Sequence, residues 1–111
     1  YNDSTQSIDE IVLFSSQFQE KIMNQCSEFY CDGTYTSSPR KYNILFNIVA
    51  YHELSNSYIT VIHAIMTRQT ENQYIKVFEY LKYKKANTEI KSIMSDFEKS
   101  LRNAIKITFL V

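Results

Sequence analysis

An aspartate stands inside a run that otherwise reads as a strand: Phe29-Tyr30-Cys31-Asp32-Gly33-Thr34-Tyr35. Aromatic, β-prone residues in that order expect burial on at least one face, and a carboxylate placed among them needs a partner or a cation. Gly33, the only glycine of the chain, follows directly and removes a side chain where close approach would be useful. A second aspartate, Asp96, closes the short apolar stretch Ile90 to Met94, just where a helical pattern begins. Two carboxylates that converge repel each other unless a cation lies between them. Hard oxygen ligands with open positions suit Mg²⁺ or Mn²⁺. Such ions activate a nucleophile and steady a leaving oxygen in phosphoryl transfer. Each acid also has a plain structural reading. Asp-Gly is common in hairpin turns, and an acid in a first helical turn complements the helix dipole.

The elements around these acids follow from hydrophobic period and capping residues. Ile11 to Phe14 reads as a short lead-in strand. Ser16 with Gln19 fits a capping box. The helix it opens puts Phe18 and Ile22 on one face and ends near Cys26. Glu28 to Thr36 reads as a strand, with Tyr30, Asp32 and Thr34 on one face and Phe29, Cys31 and Gly33 on the other. Ser37 to Arg40, with the only proline at Pro39, is a turn.

Tyr42 to Tyr51 is a long strand pattern. Ile44, Phe46, Ile48 and Ala50 form one face; Leu45 and Val49 stand between Asn43 and Asn47 on the other. The polar stretch His52 to Ser57 is of hairpin length, and His52 reads as a loop residue. Tyr58 to Met66 is apolar on both faces, with Ile59, Val61 and Ile65 opposed to Ile62, Ala64 and Met66. Three strands with short connections predict an antiparallel meander.

The period then changes. Thr70 with Gln73 matches a capping box, and Tyr74, Val77, Phe78 and Leu81 follow the helical template. Lys82, Lys84 and Lys85 read as its solvated cationic end. After the strand Ile90 to Met94, Ser95 with Glu98 matches another capping box, and Leu101, Ala104, Ile105 and Thr108 repeat the helical template. Phe109 to Val111 reads as the start of a further strand. A crossover helix makes the fourth strand of the series parallel to an earlier one. Placed beside the Asp32 strand, it brings Asp32 and Asp96 toward one end of a mixed α/β sheet.

Composition narrows the field. The chain has 111 residues, 44% of them hydrophobic, with nine Tyr and seven Phe, which suits one globular domain. Residues 1–27 form a lead-in strand and helix, and residues 28–111 form the core of the same domain. Net charge is zero, yet Asp3, Asp9, Glu10, Glu20, Glu28 and Asp32 face only Lys21 in the first 32 residues. The remainder is mildly basic, which permits a polyanionic partner. Cys26 and Cys31 lack further ligands at zinc-site spacing, so they read as small core residues of a reducing compartment. His63 reads as a core or edge residue. No apolar run approaches the roughly 20 residues of a membrane span.

The run Asp32-Gly33-Thr34-Tyr35, then Pro39, Tyr42 and a long apolar strand, resembles the opening of the Mutator-like element (MULE) transposase domain. The similarity continues through Ile59-Thr60-Val61, Ala64-Ile65-Met66, Thr70 to Tyr74 and Val77 to Leu81. It closes with Ile93-Met94-Ser95-Asp96-Phe97-Glu98 and Ala104-Ile105. The lead-in Ile11 to Phe14 resembles the segment before the first acid of that family. The resemblance implies an RNase H-like fold and DNA cleavage and strand transfer at a metal-dependent DDE site. Asp32 matches the first catalytic, metal-binding aspartate and Asp96 the second. The implied cofactor is Mg²⁺ or Mn²⁺. The implied partners are DNA and a second copy of the parent protein, in the nucleus and away from membranes. The third acid of the pattern is expected further along the parent protein, so the chain by itself is expected to be inactive. A domesticated descendant that binds DNA or protein without cutting is the other reading.

Overall fold

The computed structural model describes residues 11–35, 44–67, 70–85, 90–96 and 98–109. The described elements run β1 (Ile11–Phe14), α1 (Gln17–Gln25), β2 (Glu28–Tyr35), β3 (Ile44–His52), β4 (Ser57–Met66), α2 (Glu71–Lys84), β5 (Ser92–Met94) and α3 (Lys99–Phe109). The five strands form one mixed sheet in the order β1-β4-β3-β2-β5. The meander is present, since β2 pairs antiparallel with β3, and β3 with β4. The crossover through α2 delivers β5 parallel to β2, with Tyr30 opposite Met94. The lead-in strand β1 adds antiparallel to the outer edge of β4.

Directly opposed residues share a sheet face. Phe29, Phe46, Ile48, Ala50, Ile62, Ala64 and Met66 therefore turn one way and are all buried. The helices cover this face. Tyr74 and Phe78 of α2 lay their rings 5.1 and 6.3 Å from that of Phe46. Phe78 meets Phe109 of α3 at 5.8 Å. Tyr74, Val77, Phe78 and Leu81 are all buried, and Glu79 and Lys82 are exposed, as the helical template predicts. The opposite face carries Tyr30, Asp32, Asn47, His63 and the exposed Val12, Phe14, Leu45, Tyr58 and Met94.

α1 begins as its capping box requires. Gln19 N donates to Ser16 Oγ at 3.1 Å, and Ser16 N donates to Gln19 Oε1 at 2.7 Å. With Oε1 so used, Gln19 Nε2 donates onward to the carbonyl of Thr60 at 2.9 Å and to His63 Nε2 at 3.0 Å. His63 thus accepts at Nε2, and its ring stacks on Phe14 with centroids 5.0 Å apart.

Several local readings are corrected. Phe18 is 62% exposed; α1 buries Ile22 and Met23 instead, because the sheet lies toward Met23. Ile59 and Ile65 do not share a face. Ile48 pairs with Ile62 and Val49 with Thr60, so Val61 is an extra residue that shifts the register. Ile59 then joins the helix-covered face opposite Ala50, while Ile65 lies opposite Leu45 on the other.

His52 ends β3 rather than standing in a loop, with Nδ1 2.8 Å from Ser55 Oγ and Nε2 2.7 Å from Gln25 Oε1. The connection closes on Asn56, whose φ of 52° is a left-handed value that asparagine tolerates. Gln73 donates to Thr67 Oγ1 at 2.9 Å, while Thr70 Oγ1 accepts from Gln73 N. Phe109 belongs to α3, not to a strand, because the helical face continues through Thr108. Lys85 is buried rather than solvated, because its ammonium donates to the carbonyls of Met23 and Cys26. Thr36 to Asn43, Leu110 and Val111 lie outside the described residues, and so do the turn and strand starts expected there.

Candidate functional site

Asp32 lies within β2, not in a turn. Its neighbours on both sides pair with β3, and Asp32 itself pairs with Asn47. Its side chain belongs to the sheet face that the helices leave uncovered, and it is exposed. A carboxylate that points away from the core is compatible with the apolar strand around it, because Phe29 supplies the buried side. Gly33 turns toward the helices. A Cβ there would meet Phe46 Cδ1 at 3.5 Å, an ordinary contact. The glycine is thus not required by a close approach, contrary to the expectation from sequence.

Asp96 follows β5. It stands two positions after Met94, as Asp32 stands two positions after Tyr30, and Tyr30 and Met94 are partners in the parallel ladder. Both acids are thus two residues beyond one ladder pair, Asp32 inside β2 and Asp96 past the end of β5. Asp96 is exposed, and its Oδ1 accepts from Glu98 N at 3.0 Å. Ser95 Oγ donates to the carbonyl of Asp96 at 3.1 Å rather than capping the helix. α3 starts one turn later than the Ser95 pattern implies, with Arg102 N donating to Glu98 O at 3.0 Å.

Electrostatics connects the two strands. Cys31 immediately precedes Asp32 and shares the helix-covered face. Burial pushes its thiol up from 9.0 to about 12, and the Asp96 carboxylate adds to the rise. Neither cysteine is in a disulfide, and Cys26 is likewise raised, chiefly by burial and opposed by Lys85.

Beside Asp32 lies Asn47, which in the sequence only flanks Leu45 and Val49 on one face of its strand. Asn47 Oδ1 is buried and has no hydrogen-bond partner among the described residues. Next along the same row comes His63, paired with Asn47. No group of three or more His, Cys, Asp and Glu side chains gathers among the described residues. What the sheet end offers a cation is oxygen: the carboxylates of Asp32 and Asp96 and the amide carbonyl of Asn47. That donor chemistry fits a hard divalent ion. No described helix is long and apolar enough to cross a membrane.

The MULE transposase domain model matches residues 29–110, which takes in β2 through α3 and both aspartates. The chain belongs to the MULE transposase domain family. No curated protein and no solved structure matched it.

Proposed function

We propose that this chain belongs to the catalytic core of a MULE-type DNA transposase, built on an RNase H-like sheet. The observation that supports it is the parallel pairing of β2 with β5 through Tyr30 and Met94, from which Asp32 follows two residues on within β2 and Asp96 two residues on, past the end of β5. Three antiparallel strands and a fourth joined in parallel through a crossover helix support the RNase H-like assignment. In this reading Asp32 and Asp96 hold Mg²⁺ or Mn²⁺. The bound ion supplies Lewis acidity to the attacking and leaving oxygens of a DNA phosphodiester. The residues of the chain orient it: β2 holds Asp32 from a rigid strand, and the Glu98 amide steadies the Asp96 carboxylate. In this reading the protein acts on DNA in the nucleus, alone or as a homo-oligomer.

The second reading is a transposase-derived module that binds DNA or protein without cutting. The bond from Glu98 N to Asp96 favours it, because it gives Asp96 a local structural role. DNA cleavage by the parent protein in Mg²⁺ or Mn²⁺ separates the two. Loss of cleavage in Asp32→Asn and in Asp96→Asn, with unchanged melting, is the outcome of the catalytic reading. Wild-type cleavage in Asp32→Asn would sink it.

A further inference from the structure

Asn47 stands directly across the ladder from Asp32, and the two side chains share the uncovered sheet face. Cβ atoms of such pairs lie about 4.5–5.5 Å apart, so both side chains reach one small ion. A carbonyl oxygen removed from water without a partner costs free energy, and folded proteins rarely leave one so. Asn47 Oδ1 is in that position among the described residues. A hydrophobic residue would fill the strand at lower cost, since the neighbours Leu45 and Val49 on the same face are apolar. A neutral amide oxygen beside a carboxylate is a usual element of a hard-cation shell.

We infer that Asn47 is a further ligand of the divalent cation, donating its Oδ1 to the ion that Asp32 holds. The inference rests on the metal reading proposed above for Asp32 and adds a neutral donor from β3, the strand on the other side of β2 from β5. Asn47 adds coordination without adding negative charge. The site then draws on three successive strands of the sheet: Asn47 on β3, Asp32 on β2 and Asp96 just after β5. The competing account of the orphaned oxygen is a buried water that bonds it.

Mn²⁺ titration of the 111-residue chain, read from the electron paramagnetic resonance signal of the free ion, tests the inference. Melting in metal-free buffer accompanies each variant. Asn47→Leu should weaken Mn²⁺ binding by about tenfold, the lower end of what lost metal-site partners cost. It should leave the metal-free melting temperature at or above the wild-type value, because it removes an unpaired polar atom. Asn47→Asp keeps the shape and adds a charge, and should tighten binding. Asp32→Asn should abolish it. If Asp32→Asn loses Mn²⁺ while both Asn47 variants bind like wild type, the Asn47 assignment is overturned and the metal reading stands. If Asp32→Asn or the wild type shows that no ion depends on Asp32, the metal reading fails and the inference with it. Should Asn47→Leu fail to fold, Asn47→Asp decides: unchanged affinity overturns the assignment.

Discussion

The ammonium of Lys85 lies 2.6 Å from the carbonyl oxygen of Cys26, the residue that caps the C-terminus of α1. The same Nζ donates to Met23 O at 3.1 Å and sits 5.4 Å from the centre of the Phe29 ring. α1 has no basic residue in its own last turn, so α2 supplies the cation that its carbonyl end favours. Burial lowers the pKa of Lys85, and Cys26 partly opposes that shift. The bond to Cys26 joins residues 59 positions apart in sequence. It fastens the lead-in helix to the end of α2 and so fixes the layer that covers one face of the β2–β3–β4 sheet.

Lys85→Met tests this fastening. Methionine fills the space but cannot donate; Cys26 O loses the Lys85 partner, while Met23 O keeps the bond from Cys26 N. The variant should lose about 1–3 kcal/mol in urea denaturation, the cost of an unsatisfied buried acceptor. A solvated lysine at a helix end would give a change within about 0.5 kcal/mol.

That lysine also marks the limit of what the sequence discloses. Ser16 with Gln19, and the spacing of Tyr74, Val77, Phe78 and Leu81, are local signals and agree with the structure. So does the parallel return of β5, because a crossover of that length leaves few alternatives. Lys82, Lys84 and Lys85 look alike in sequence, yet of their ammonium groups it is that of Lys85 that meets the carbonyls at the end of α1. Lys84 instead pairs with Glu20 at 3.2 Å, and Lys82 donates to Thr108 O at 3.0 Å. The extra residue at Val61 leaves no trace in an alternating pattern that is apolar on both faces. At the candidate site, both aspartates announce themselves by type and context. Asn47 does not, because its place opposite Asp32 depends on register, and the connection that sets the register gives no turn signature precise enough to count across.

Leu81 is fully buried in the α2 face that meets the sheet. Leu81→Ala should cost about 2–5 kcal/mol, combining lost transfer free energy with the cavity left behind. Chemical denaturation of the chain measures this directly. A value near zero would mean that the α2 face repacks without loss, at odds with the closely packed rings of Tyr74, Phe78 and Phe46.

Cys31 makes stability depend on alkaline pH. Below 9.0 its thiol is protonated in the folded and the unfolded chain alike. Between 9.0 and about 12 the unfolded chain releases the proton and the folded chain keeps it. The unfolded state then binds fewer protons, so stability falls as pH rises through that window. Cys26 is raised also and acts in the same direction. The melting temperature of Cys31→Ala should therefore decline less steeply above pH 9.0 than that of the wild type, while keeping part of the slope. Equal slopes would show that the Cys31 thiol is not protected by burial beside Asp96.

Asp96 has two separable roles, and two substitutions divide them. Its Oδ1 accepts from Glu98 N at 3.0 Å just before α3, a local bond that an asparagine oxygen also makes. Asp96→Asn should therefore melt like the wild type. Asp96→Ala loses the acceptor and should cost about 1 kcal/mol. A divalent ion answers to charge instead, so Asp96→Asn should weaken Mn²⁺ uptake as strongly as Asp96→Ala does. Paired melts and Mn²⁺ titrations of the two variants give both readings from the same samples. If Asp96→Asn keeps wild-type Mn²⁺ affinity, the carboxylate serves the helix start alone. If it loses affinity without losing stability, its charge is held for the ion.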